Sequence, residues 1–233
     1  MSVEAKQPVL ILGGFLITQE AYQPMATILQ ELTGAEVAIV PMSRLDWLMT
    51  SGPEGWIRCL DRVDAMVRAL QACSATGKVT LIGHSSGGVM LRPYLSDRSF
   101  LEHCYRGLDA CNRLITLGSP HQALRATRLR ALVDQHYPGC PHADAVEYVA
   151  VAGCLDLTSS TSSWFSRLSA ERSYRQINGN GSWQGDGLVP LGSAHLRDAR
   201  WITLDDTAHG GLFGSAWYGT PTRVEQWWSE AHR

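Results

Sequence analysis

The chemistry in this chain is concentrated at Gly83-His84-Ser85-Ser86-Gly87, a Gly-x-Ser-x-Gly pentapeptide. The β-branched, apolar run Val79-Thr80-Leu81-Ile82 precedes it, and Gly88 and an amphipathic segment follow. A strand that feeds a sharp turn opening a helix is the setting in which a serine hydroxyl becomes an exposed nucleophile. Such a turn strains the serine's own backbone. A side chain at 83 or 87 would collide with the neighbouring strand or helix, so both flanks are glycine. Ser85 is therefore the candidate nucleophile.

A serine hydroxyl is weak at neutral pH without a base, and the base needs a carboxylate to orient it. Of the eight histidines, only His209 and His232 follow the last predicted strand, and His232 is the penultimate residue. His209, in Ala208-His209-Gly210-Gly211, has small neighbours that leave room for a ring facing a pocket, and is the candidate base. Two carboxylates compete to orient it. Asp186 lies on the glycine-flanked turn Gly185-Asp186-Gly187, and Asp156 closely follows the fifth strand. Asp186 is favoured, with Asp156 as the alternative acid; Asp205 and Asp206 read as loop or capping residues. Acyl transfer also needs two backbone donors for the oxyanion. Ser86 supplies one at the start of the helix, and Phe15, after Gly13-Gly14, supplies the second.

These residues need a scaffold that brings distant loops together. Six short runs, 8–13, 36–41, 78–83, 113–118, 147–153 and 200–204, are continuously apolar, as expected of strands covered on both faces. Helical spacing lies between and after them, at 20–33, 54–76 and 221–231. This alternation predicts an α/β fold with a doubly wound, mainly parallel six-stranded sheet, its ligands at the carboxyl ends of the strands. Pro93, eight residues past Ser85, should kink or end the helix there. Residues 122–142 and 157–180 depart from the alternation and are candidate lid segments. The alternative for residues 122–136 is one more surface helix of the sheet.

The chain has 233 residues, 45% hydrophobic and 18% charged, which fits a single domain, 1–233, with a sizeable core. A net charge of −2 offers nothing to attract nucleic acid. The longest apolar stretch, Val9 to Ile17, is too short to span a bilayer. The six cysteines form no Cys-x-x-Cys pair, and no secretory leader pattern opens the sequence, so reduced thiols in the cytoplasm are the expectation. Cys104–Cys111 and Cys140–Cys154 are the pairings left open. No metal-ligand spacing stands out, and His142, Asp144 and Glu147 read as surface residues; no cofactor is expected.

Taken together, the chain resembles the α/β-hydrolase superfamily, and within it the lipase/esterase branch. Leu117-Gly118-Ser119-Pro120-His121 is similar to the Leu-Gly-Thr-Pro-His segment of many bacterial lipases. Gly185-Asp186-Gly187-Leu188-Val189-Pro190 is similar to their acid-bearing segment and to that of lecithin:cholesterol acyltransferase-like enzymes. A looser similarity extends to lipase-like hydrolases of cyanobacteria and plastids. The resemblance implies a minimal, six-stranded α/β-hydrolase fold with Ser85, Asp186 and His209 as triad, Phe15 and Ser86 as oxyanion donors, and His121 in a structural position. Gly13 departs from the pattern, standing where the family usually has histidine, which leaves the organisation of that loop to be found.

The reading that follows is a serine hydrolase cleaving carboxylic esters of lipid-like or apolar acyl groups through an acyl-enzyme. Trp47, Trp164, Phe165 and Trp183 are candidates to line an acyl pocket. Its partners are then a small-molecule ester or lipid and, transiently, a membrane surface. A thioesterase or acyltransferase would use the same triad. A non-catalytic ligand-binding protein of the same fold is the third reading. The sequence sets no oligomeric state.

Overall fold

The computed structural model describes residues 6–122, 127–156, 170–175 and 184–233. Six strands, β1 (Val9–Leu12), β2 (Val37–Ile39), β3 (Val79–His84), β4 (Cys111–Leu117), β5 (Glu147–Cys154) and β6 (Arg200–Asp205), form one sheet. They lie in the order β2-β1-β3-β4-β5-β6, and every pairing is parallel.

Alternate strand residues feed two cores. Leu10 and Leu12 of β1, with Leu81, Leu114 and Ala150, pack beneath α2 (Arg44–Met49), α3 (Pro53–Cys73), α4 (Ser86–Leu95) and α5 (Arg128–His136). Val9 and Ile11, with Ile82, Ile115, Val149 and Leu204, pack beneath α1 (Gln23–Thr33) and the C-terminal helix. A short α6 (Leu191–Ala194) precedes β6, and that C-terminal helix is α7 (Pro221–Ala231). Burial on both faces is why β1, β3 and most of β4 and β5 are continuously apolar. The two edge strands differ from that expectation. β2 is three residues long and half-buried, and β6 alternates, burying Ile202 and Leu204 while Trp201 and Thr203 face outward. An edge strand has cover on fewer sides, so its pattern loosens.

The sheet order sets where a ligand can sit. The chain runs from β1 outward to β2, then crosses to the other side of β1 for β3. The loops after β1 and β3 therefore diverge and leave a crevice at their carboxyl ends. The Gly13-Gly14-Phe15 turn and the Ser85 turn both open into it.

α4 ends at Leu95, two residues past Pro93, whose ring leaves the carbonyl of Val89 without an intrahelical N–H partner. Of the two segments considered as lids, 127–142 is built into the body. Leu129, Val133 and Tyr137 are buried in the first core, and Arg92 of α4 donates to the Tyr137 carbonyl and to Asp134 Oδ1 at 3.3 Å. Its second expectation, a surface helix of the sheet, describes α5. In the other, only 170–175 falls among the described residues and is helical. Trp47, considered for an acyl pocket, is fully buried on α2, where its indole donates to the Ile17 carbonyl at 2.9 Å. Trp164, Phe165 and Trp183 lie outside the described residues. All six cysteines are free thiols, so neither Cys104–Cys111 nor Cys140–Cys154 is bridged.

Candidate active site

Ser85 sits between β3 and α4 with φ 53° and ψ −122°, a combination that costs a residue with a Cβ about 1–3 kcal/mol. Its N–H donates to the Leu117 carbonyl at 2.9 Å, and its carbonyl accepts from Gly88 N–H at 3.2 Å. The turn closes only around bare backbone. A Cβ on Gly87 would lie 2.4 Å from the Leu12 carbonyl oxygen, and one on Gly83 would lie 2.4 Å from Gly88 Cα.

The structure places Asp186 against His209 and leaves Asp156 outside the pair. Asp186 Oδ2 accepts from His209 Nδ1 at 2.8 Å, while Asp156 is exposed after β5. Each oxygen of the buried Asp186 carboxylate takes two donors. Leu188 N–H (3.0 Å) and Val189 N–H (2.7 Å) bind Oδ1; the Tyr218 hydroxyl (2.8 Å) and His209 bind Oδ2. Four donors fill the acceptor capacity of an ionised carboxylate. They also decide the tautomer of His209: Nδ1 carries the proton, and the Nε2 lone pair remains to accept one. Backbone bonds fix the ring's base, with His209 N–H on the Asp186 carbonyl at 2.8 Å.

Ser85 follows His84, whose ring centroid lies 4.8 Å from that of His209. Among the described residues no hydrogen bond joins Ser85 Oγ to His209; such contacts commonly close only around substrate. The amide of Ser86 is the first of α4, one of those a helix leaves without an intrahelical acceptor. In the β1 turn, Gly14 N–H is bonded to the Tyr22 hydroxyl at 2.8 Å and Ile17 N–H to the Gly14 carbonyl at 3.1 Å. The Phe15 amide is left without a backbone partner among the described residues.

Sequence reasoning missed the tyrosines that hold this arrangement. Tyr218 donates to Asp186 while accepting from Gly153 N–H at 2.6 Å, and burial beside Asp186 pushes its phenol far up, so it stays a donor. Tyr174 accepts from Gly187 N–H at 2.9 Å beneath the acid-bearing turn. A Cβ on Gly153 would lie 3.0 Å from the Tyr218 hydroxyl, so the glycine near the end of β5 leaves room for that hydroxyl. Tyr218→Phe, which orphans the Gly153 N–H and removes one donor from Asp186, is expected to cost about 1–3 kcal/mol. The readout is a lower urea midpoint at unchanged m-value; an unchanged midpoint would show the bond to be dispensable.

Two buried histidines make the fold sensitive to acid. Burial, with His209 beside it, holds His84 well below the ordinary histidine range; burial with Arg92 and Arg130 nearby does the same for His121. Both are neutral in the fold, whereas the unfolded chain protonates each as pH falls through about 6.5. The stability this neutrality supports is complete above that pH. Below it, the expected loss approaches about 1.4 kcal/mol per pH unit for each histidine. Urea unfolding at pH 7.5, 6.5 and 5.5 measures it, and a flat profile would contradict it.

Among the described residues, no group of three or more histidine, cysteine or acidic side chains is placed to hold a metal ion.

Comparison with known proteins agrees with this architecture. The family model for palmitoyl protein thioesterase matches residues 8–178, which include the Phe15 turn and Ser85 but stop short of Asp186 and His209. No curated protein matches. Among solved structures, a protein of the α/β hydrolase superfamily from Xanthomonas campestris is 18% identical with a TM-score of 0.51, the alignment covering 96% of this chain and 99% of that one. An α/β serine hydrolase homologue from Coxiella burnetii is 11% identical at TM-score 0.53, over 98% and 84%. Est1E from Butyrivibrio proteoclasticus is 11% identical at TM-score 0.52, over 98% and 89%. At these identities the structural matches speak to the fold, and the family match covers well over half the sequence. The chain belongs to the palmitoyl protein thioesterase family of α/β-fold hydrolases.

Proposed function

We propose that this protein is a serine hydrolase that cleaves acyl esters, thioesters included, of apolar acyl groups through an acyl-enzyme on Ser85. The observation that carries the reading is the 2.8 Å bond from His209 Nδ1 to the fully satisfied Asp186 carboxylate, in a chain whose Gly-x-Ser-x-Gly serine is held on a strained turn. His209 Nε2 takes the Ser85 proton as Oγ attacks the acyl carbonyl, and the amides of Phe15 and Ser86 receive the oxyanion. His209 then protonates the departing alcohol or thiol, and later takes a proton from the water that releases the acid.

Two features support an apolar acyl group. Phe15 and Leu16, on the turn after β1, and Leu212, three residues after His209 in sequence, are large apolar side chains left exposed. Phe213 also stands edge-on to the His209 ring at 6.0 Å. The family match favours a thioester as one accepted linkage, since hydrolysis of thioesters and oxygen esters asks for the same residues.

The test combines labelling with a matched substrate series. A serine-directed fluorophosphonate should form one adduct, mapped to Ser85 by mass spectrometry. Acyl-CoA thioesters and p-nitrophenyl esters from acetyl to palmitoyl should be hydrolysed faster as the chain lengthens. A folded protein with neither adduct nor turnover would be a ligand-binding member of the fold, and the proposal would fall. Transfer product accumulating with an added alcohol would instead reveal an acyltransferase.

A further inference from the structure

His84, the second residue of the Gly-x-Ser-x-Gly motif, is fully buried and takes no part in the proton transfers described above, yet both its ring nitrogens are engaged. Nε2 lies 2.9 Å from the His209 backbone carbonyl, which can only accept, so Nε2 carries the proton. In the neutral ring, Nδ1 is then an acceptor, and the Tyr22 hydroxyl donates to it at 2.7 Å. The Tyr22 oxygen in turn accepts the Gly14 N–H at 2.8 Å. The chain has one direction: Gly14 N–H to Tyr22, Tyr22 O–H to His84, His84 N–H to the backbone of His209. Each donor in it meets one acceptor of the right kind, and every member is buried, so removing one strands the next.

This chain connects the two loops that the proposed reaction must keep in register. Gly14 carries the carbonyl of the peptide whose N–H is the Phe15 amide. Ile17 N–H on the Gly14 carbonyl holds that peptide directly, and the Gly14 N–H bond to Tyr22 anchors the peptide before it, so the two bonds grip the turn on either side of the Gly14 Cα. Ile17 is itself tied to the Trp47 indole through its carbonyl. The two glycines make the approach feasible. A Cβ on Gly13 would lie 2.5 Å from Cε2 of the Tyr22 ring. A Cβ on Gly14 would lie 2.8 Å from Ser85 Cβ and 3.1 Å from His84 Nδ1. A histidine at position 13 would occupy the space Tyr22 fills, so the departure at Gly13 has a counterpart in the relay.

We propose that Tyr22 and His84 are positioning residues, a buried relay that holds the Phe15 amide of the oxyanion turn at a set distance from the loop bearing His209. Its kinetic consequence rests on the serine-hydrolase reading, but the holding of the loop does not. Burial pushes the Tyr22 phenol up and the His84 imidazole down, which keeps the hydroxyl a donor and the ring neutral.

The test uses Tyr22→Phe, which keeps the ring and removes only the hydroxyl, together with His84→Gln and the double variant. Nitrogen NMR of the wild type should show the His84 proton on Nε2. Amide hydrogen exchange at Gly14 should be accelerated in Tyr22→Phe while the melting curve stays cooperative. Displacing a reacting geometry by a fraction of an ångström should lower kcat about 10- to 100-fold with KM within about twofold. The double variant should lose no more than the worse single one, because either change breaks the same chain. Unchanged Gly14 exchange, a His84 proton on Nδ1, or additive losses in kcat would overturn the relay. Faster Gly14 exchange in a protein whose wild type shows no Ser85-dependent turnover would uphold the relay and sink the hydrolase reading instead.

Discussion

Asp186→Asn is expected to lower kcat about 10⁴-fold, while Asp156→Asn leaves it within about twofold. The asymmetry follows from the hydrogen-bond directions around the carboxylate. Leu188 N–H and Val189 N–H compel the oxygen of an asparagine amide to take the Oδ1 position, because two N–H donors cannot face an NH₂. The amide nitrogen must then stand where Oδ2 stood, 2.8 Å from both His209 Nδ1 and the Tyr218 oxygen. It donates to His209 Nδ1, the imidazole proton moves to Nε2, and the nitrogen meant to receive the Ser85 proton already carries one. Folding is affected far less than rate, since the turn keeps its backbone bonds. Asp156 is exposed and the His209 Nδ1 proton is already taken by Asp186, so exchanging Asp156 should alter neither the tautomer nor the orientation of the base. Steady-state kinetics on both variants decide the matter, and equal losses, or the greater loss at Asp156, would remove Asp186 from the triad.

Ser85→Gly is expected to abolish turnover, a loss on the order of 10⁶-fold, and at the same time to raise the melting temperature. With φ 53° and ψ −122°, Ser85 occupies backbone space that glycine enters without a Cβ clash. Relief of about 1–3 kcal/mol of strain is partly offset by the greater freedom of glycine in the unfolded chain, about 0.5–1 kcal/mol. A net gain near 1 kcal/mol corresponds to about 2–4 °C for a chain of this size. Ser85→Ala should be equally inactive but without the thermal gain, because it keeps the Cβ and the strain. Calorimetry of the two variants separates backbone from side chain. A lower melting temperature for glycine than for alanine would mean the turn is not strained, and surviving hydrolysis in either would remove Ser85 from the reaction.

The two expectations differ in how visible they were in the amino-acid sequence. The turn that carries Ser85 is legible because its requirements are local. A tight strand-to-helix turn dictates glycine at fixed offsets within five residues, and the strand before it must be apolar on both faces because helices cover both. The central strands are readable for the same reason; β2 and β6 form where expected but are less buried than expected, because the edges lack that cover. The carboxylate was not decided locally. Asp156 and Asp186 both follow strand β5, and only the path of the chain that sets the Gly185–Pro190 turn beside His209 distinguishes them. Tyr22, His84 and Tyr218 lay further still from any sequence signal. Their bonds join residues 62, 125 and 32 positions apart, and buried tyrosines and a buried histidine look like ordinary core until their polar atoms are paired. The sequence by itself determined the strand–turn–helix that carries Ser85, because short-range sterics leave few residue types that fit. The tertiary structure decided which carboxylate meets His209 and what ties the Gly13–Phe15 turn to it, because a buried hydrogen bond is satisfied only by partners that the whole fold brings within 3 Å.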